Sequence, residues 1–399
     1  GAAGLWLRRL SGPGGEAPAA PDAGAPPAGE WRAAWISYIE LQGMDYTSAE
    51  AFRAGAAAMM DRCAGLGLNT VIVQVRPFGD ALYPSALFPW SHICTGVQGV
   101  SPGFDPLDIL LTEAHSRGLS FEGWINPYRL QASASSPGTL AADNLANTHP
   151  DWVAAAGGGL YLNPAIPEAA AYVVEGVAEL VRTYPVDGVH FDDYFYPTTD
   201  PAIDAARFAA SGAADLAEWR RQNVTALVKA AHDAVKAADP TLRFGVSPQG
   251  NPDNDMSQQY SDVRGWLAAG SEDAVVDYLC PQLYWGYGYT LSNGSRRFAY
   301  ENILAEWLAM PRGSAALYVG LGAYRIGEGD GGSNGDSVSG WSTGRALADQ
   351  VGTLRAAGAG GYALYRYGSL FQNTAWPQLA EAECAALTAA NAPDGGRAG

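Results

Sequence analysis

Residues Asp187 to Pro197 read DGVHFDDYFYP, a short apolar run that breaks off in two adjacent carboxylates and a cluster of aromatic rings. In an extended strand successive side chains alternate between faces. Val189 and Phe191 then share a face that belongs under helices, while His190 and Asp192 share the other. A carboxylate on the inward face at the C-terminal end of a parallel strand is where α/β barrels keep their chemistry. Asp193 falls on the opposite side of a regular strand. It joins Asp192 only if the strand has already ended and the backbone turns. The rings that follow, Tyr194 among them, suit a ligand with flat apolar faces and polar edges, such as a sugar.

Seven other segments share this design, apolar at first and polar or aromatic at the end: 32–37, 70–76, 119–126, 242–249, 275–284, 316–324 and 361–367. Five strands, counting the second, third, fifth, sixth and seventh, have a consistent facing. Val71, Val73 and Val75 oppose Gln74 and Arg76; Phe121 and Ile125 oppose Trp124, Asn126 and Tyr128. Phe244 and Val246 oppose Ser247 and Gln249, Leu279 opposes Tyr278, Gln282 and Tyr284, and Leu317, Val319 and Leu321 oppose Tyr318 and Tyr324. The eighth segment has no clear apolar side. Between strands run helical patterns at 48–66, 106–117, 167–184, 215–238 and 343–357, several opened by a capping Ser or Asp. Strands alternating with helices predict right-handed βαβ units and a parallel sheet. Eight of them predict an α/β fold of the (β/α)8 TIM-like barrel type with long βα loops. A doubly wound open sheet is the alternative, and it lacks its glycine-rich phosphate fingerprint here.

Composition narrows the function. The 399 residues carry a net charge of −17 with only two lysines, Lys229 and Lys236, which excludes the basic face that nucleic acid requires. The 12 tryptophans and 20 tyrosines supply both core and mouth, with Trp35, Tyr128, Tyr194, Tyr284 and Trp285 placed at strand ends. The five histidines are scattered, so neither a metal site nor a cofactor is expected. Four cysteines lack zinc-like spacing and are expected as buried thiols, with Cys63–Cys94 the least unreasonable bridge. Residues 1–29, rich in Gly, Pro and Ala, read as a disordered linker that a trimmed export signal leaves behind. The barrel is expected over 30–384 and a flexible tail over 385–399.

Several blocks, in order, carry a family resemblance: EWRAAWIS, NTVIVQVRPFGDALYPS, PGFDPLDILLTEAHSRGL, EGWINPYR, LYLNPAIPE, DGVHFDDYFYP, FGVSPQGN and DYLCPQLYWG. Over about residues 30 to 375 the chain resembles the glycosyl-hydrolase-like family 10 proteins. The resemblance implies a TIM-like barrel and an exported bacterial glycosidase, of lipoprotein type in some members. It implies peptidoglycan glycan strands stripped of their peptides as the substrate.

Glycoside hydrolysis usually takes two carboxyl groups. Asp192 is the first candidate and Asp193 the second; Asp255, Glu40 and Asp80 are other possible partner acids on loops after strands. The segment also resembles the DGxDxDxE strand of chitinase-type barrels, with Tyr194 where their acid stands. A substrate's own N-acetyl group then becomes a candidate nucleophile. Gln74, Asn126, Gln249 and Gln282 are inward amides suited to hydroxyl and acetamido groups. Arg76 and Arg129 suit a carboxylate such as a lactyl group, or the charge that keeps Asp192 ionised. Tyr128, Tyr284 and Trp285 are candidate stacking platforms, and His190, deeper than Asp192, is placed to orient it. The competing readings are a carbohydrate-binding protein without catalysis, a hydrolase of another glycan, and a barrel deacetylase or lyase.

Overall fold

The computed structural model describes residues 20–393. Its main sheet is built from β1 (Trp31–Ile36), β2 (Thr70–Arg76), β3 (Ser120–Ile125), β4 (Gly188–Phe191), β5 (Arg243–Val246), β6 (Tyr278–Leu279), β7 (Ala316–Leu317, resuming as Val319–Gly322) and β8 (Gly361–Tyr365). Consecutive strands pair in parallel from β1 to β6. The first piece of β7 pairs with β6 and its second piece with β8, which in turn pairs with β1. Counted separately, the two pieces make nine strands; taken as one interrupted strand they close a ring of eight. Closure settles the choice against an open doubly wound sheet.

A helix follows each strand: α1 (Ala49–Gly65), α2 (Pro106–His115), α3 (Pro167–Thr183), α4 (Leu216–Ala238), α5 (Val263–Ala268), α6 (Tyr300–Ala309), α7 (Ala346–Ala356) and α8 (Pro377–Ala390). Ser48, Asp105 and Asp215 cap α1, α2 and α4 by accepting backbone N–H bonds, as their positions predict. A three-stranded antiparallel sheet, formed by Arg129–Gln131, Gly159–Leu162 and Val153–Ala156, decorates the long loop between β3 and α3.

Two cores follow from strand alternation. Val71, Val73, Phe121, Val189, Phe244 and Leu321 face outward and pack under the helices. Trp31, Trp35, Trp124, Tyr278 and Tyr318 fill the ring itself. The second filling demands a gap opposite it. A Cβ on Gly245 would lie 2.1 Å from the Tyr278 ring, so the glycine is what lets that ring occupy the axis. Gly245→Ala is expected to destabilise the protein by about 1–3 kcal/mol through overpacking. An unchanged melting temperature would contradict this packing.

The chain ends differ from the sequence reading. The last helix runs through Ala390, and the Asn391 side chain accepts bonds from Tyr362 and Arg355 while donating to the Leu66 carbonyl. The folded unit therefore extends past 384, because a polar residue at the helix end ties β8, α7 and the segment after α1 together. At the other end Arg355 donates to the carbonyls of Ala23 and Gly24, so this part of the expected linker lies against α7. The rest of the linker expectation, residues 1–19, and the tail beyond 393 lie outside the described residues. All four cysteines are free, and burial pushes the thiols of Cys63 and Cys94 each up to about 12. The Cys63–Cys94 bridge is not formed.

Candidate active site

β4 stops at Phe191, one residue before the paired acids. Past that point the alternation that separates neighbours in a strand no longer holds. Asp192 and Asp193 consequently line the same cavity of about 240 Å3, walled by Trp35, Trp124, Tyr284, Tyr324 and Tyr365. This cavity opens at the C-terminal ends of the strands. Of the two positions the sequence left open for Asp193, the structure takes the one in which the backbone turns.

Four amides gather around the pair. Asn126 Nδ2 donates to Asp192 Oδ2, and Gln74 Nε2 donates to Asn126 Oδ1. Gln74 is itself fixed by the Tyr38 N–H, 2.7 Å from its Oε1. The Tyr194 N–H reaches Asp192 Oδ1 at 3.3 Å. On the other side Gln282 Nε2 donates to Asp193 Oδ1 at 3.0 Å and to the Ser247 carbonyl at 3.1 Å. Gln249 comes beside Gln282 through a parallel bridge and also favours the charged form of Asp193.

Burial pushes the Asp192 carboxyl well above the usual carboxylate range; the neighbouring Asp193 charge adds to this, and the Arg129 guanidinium offsets part of it. Asp193 is raised as well, again by burial, against the opposing pull of Gln282, Gln249 and Arg129. Two neighbouring carboxyl groups, both raised by burial, disfavour ionising together.

His190 lies fully buried at the cavity floor. Trp35 Nε1 donates to its Nε2 at 3.1 Å, which assigns the proton to Nδ1, 2.8 Å from the Tyr278 hydroxyl. Tyr278 donates in turn to Glu122 Oε2 at 2.7 Å. Desolvation lowers the His190 pKa to about 3, so the ring is neutral. With both nitrogens engaged, His190 positions Trp35 rather than holding a ligand by hydrogen bonds.

Tyr194, 54% exposed, stands between this cavity and a smaller cleft of about 140 Å3 lined by Asn126, Tyr128, Arg129, Tyr161 and Gln259. Arg129 donates from Nε to the Pro77 carbonyl at 3.1 Å and lies 4.4 Å from the Phe78 ring centroid. Its Nη2 and the Tyr128 hydroxyl are both buried without a hydrogen-bond partner. Tyr128 therefore belongs to the cleft, not to a stacking wall above Asp192.

Two expected ligands of the mouth are elsewhere. Pairing slips between Gln74 and Arg76, and this irregularity turns Arg76 outward. Arg76 is buried against α3, its guanidinium 3.7 Å from the Phe88 ring centroid and close under Gly176. Trp285 stacks on Phe298 at 5.1 Å, outside the cavity that Tyr284 lines. Of the other partner acids, Glu40 and Asp80 are engaged through both oxygens, while Asp255 keeps one buried oxygen, Oδ2, without a partner. Glu40 caps the Ser37 N–H and pairs with Arg366; Asp80 holds Gln98 and the Phe78 N–H; Asp255, fully buried, accepts the Gln249 N–H. Tyr365 and Tyr324 are wall residues that the sequence did not single out for binding. For Tyr365 the missing signal was β8's facing, which the structure resolves with Tyr362 and Leu364 outward and Ala363 inward. Among the described residues no group of three or more His, Cys, Asp or Glu could hold a metal ion.

A closed (β/α)8 ring with paired carboxyls in an aromatic mouth is a barrel of the glycoside hydrolase kind, and comparison with known proteins agrees. A family profile described as Glycosyl hydrolase-like 10 matches residues 30–334, and the chain belongs to that family. The protein named Glycosyl hydrolase YngK from Bacillus subtilis (strain 168) is 38% identical over 323 residues, covering 74% of this chain and 61% of that protein. Glycosyl hydrolase DigH from Escherichia coli (strain K12) is 36% identical over 299 residues, covering 67% of this chain and 65% of its own length. The chain thus spans less than two thirds of these relatives. Among solved structures, the PgaB (BpsB) glycoside hydrolase domain from Bordetella bronchiseptica superposes with a TM-score of 0.57 at 14% identity, over 90% of this chain and 99% of that one. An alpha-L-fucosidase isoenzyme 2 from Paenibacillus thiaminolyticus gives a TM-score of 0.57 at 16% identity, over 89% and 49%. Likeness at these identities concerns the fold.

Proposed function

We propose that this protein is an exported glycoside hydrolase of bacterial cell-wall glycan, cutting peptide-free strands of N-acetylated amino sugars. One observation carries the reading: Asp192 and Asp193, raised together by burial, meet at the base of one aromatic-walled cavity. Asp192 is the general acid. It gives its proton to the glycosidic oxygen as the bond from that oxygen to the anomeric carbon breaks. Asp193, held by Gln282 and Gln249, is the ionised member that faces the developing positive charge. Neighbouring residues at one strand end approach a sugar from one side. This suits attack on the anomeric carbon by the substrate's own acetamido oxygen, after which the Asp192 carboxylate takes a proton from the incoming water.

Arg129 and Tyr128 add selectivity to this reading. Both have a buried polar atom without a partner in the cleft beside Asp192, and a substrate carboxylate such as a lactyl group would engage both. Arg129→Met is expected to raise KM for carboxylate-bearing strands about tenfold or more, the order expected for a charge-assisted bond. Its effect on neutral N-acetylglucosamine oligomers should be small. Equal effects on both substrates would remove Arg129 from this role.

The reading itself is tested by incubating the protein with peptide-free glycan strands and assaying new reducing ends, with the anomeric product followed by NMR. Retention at the anomeric carbon is expected. Inversion would rule out the acetamido route, and an absence of reducing ends from every N-acetylated glycan would end the hydrolase reading.

A further inference from the structure

A second cavity, of about 630 Å3, opens where the long loops after β6 and β7 meet. It begins at Gly286, two residues beyond the Tyr284 that walls the Asp192 cavity, so both lie on the same rim of the barrel. The space is built, not left over. Asp330 accepts the Gly286 N–H at 2.9 Å, the Gly332 N–H at 3.0 Å and the Trp341 indole N–H at 3.3 Å. Ser333 donates twice to the Thr290 carbonyl, from its N–H at 2.8 Å and its hydroxyl at 3.0 Å. A Cβ at Gly286 would come within 2.8 Å of Asp330 Oδ2, so close approach of the two loops requires glycine there. These bonds lock the loops around the cavity.

The lining calls for hydrogen-bond donors. Gln350 is 1% exposed; its Nε2 donates to the Trp285 carbonyl at 2.8 Å, which leaves Oε1 as a buried acceptor with no partner. Asn334 Oδ1, on the facing loop, is a second buried acceptor without a partner. Asp336 adds a carboxylate, Asp349 is paired with Arg345 at 3.0 Å, and the Arg296 guanidinium is already paired with Glu301 at 3.5 Å. An anion has little to gain in such a place. A hydroxyl-rich ring does, because its O–H groups satisfy stranded acceptors while its apolar face meets the Tyr287 ring.

We infer that this cavity is a second sugar-binding site, which holds uncharged, hydroxyl-bearing units of the glycan remote from the bond being cut. The inference rests on the glycan reading above and adds a site to it. Remote units bound there would make long chains better substrates than short ones, since their binding energy is available to the reaction.

The test uses two rim changes. Thr343→Trp plugs the cavity from an exposed position, and Asn334→Ala combined with Asp336→Ala removes acceptors without touching the Asp192 cavity. The kcat/KM is measured for the shortest oligosaccharide cleaved and for long strands. Both variants should keep the short-substrate value and lose about tenfold on long strands, equivalent to about one or two hydrogen bonds. Equal values on long strands for parent and variants would overturn the site. If no glycan is cleaved, the hydrolase reading fails by itself, and calorimetric titration with long strands still decides the cavity. Weaker binding by both variants upholds it; unchanged or absent binding overturns it.

Discussion

Replacing Asp192 by Asn will lower turnover on glycan strands by about 10³-fold or more, the scale of losing a positioned general acid. The amide keeps the shape, but only its oxygen accepts, so it satisfies either Asn126 Nδ2 or the Tyr194 N–H, and it has no proton to give at the pH of the reaction. The fold survives, and its pH response identifies the residue. The Asp192 carboxyl is raised in the folded protein, so the folded state holds a proton that the unfolded chain releases near the ordinary value of about 3.9. Stability contributed by this group is therefore complete at acid pH and is lost as pH rises toward the folded-state value. Asp192→Asn removes that loss. Thermal melts should show the variant gaining on its parent as pH rises from acid to mildly alkaline. A variant that melts lower at every pH would mean the carboxylate is a structural support; one that cleaves glycan at the parental rate would mean it is not the acid.

Asp193→Asn is expected to cost on the order of 10²–10⁴-fold in turnover, and it carries a second signature. The Asp193 charge is one of the causes that hold Asp192 protonated, second after burial. Without it Asp192 should release its proton more easily. The alkaline limb of the residual activity, which reports loss of the acid's proton, then moves to lower pH. A limb that stays in place, or moves up, would show that the Asp193 charge does not hold Asp192 protonated. Because both respond as one system, the measured limbs belong to the pair.

Much of this arrangement was legible in the sequence because barrel strands advertise themselves by alternation. Phe121 and Ile125 against Trp124 and Asn126 gave the facing of β3 correctly, and with it the amide that now holds Asp192. What could not be read is where alternation stops. The turn after Phe191 swings Asp193 into the cavity, and the slip after Gln74 carries Arg76 out of it. Each is a one-residue change of register that no pattern of residue types announces, since a slip of one exchanges the two faces. The cavity between the β6 and β7 loops was invisible for another reason: the loop bonds of Asp330 and Ser333 join residues about forty apart, and composition carries no record of such pairings.

The aromatic filling of the ring has a consequence for traffic. With Trp31 stacked on Tyr318 and Tyr278 tilted against both across its lower half, the ring formed by the described residues has a solid base and opens at the rim that holds the acids. A polymer cannot thread down the axis. On the proposed reading, a glycan has to drape over the rim, and any fragment released would depart by the route its successor needs, so arrival and departure would compete for one threshold.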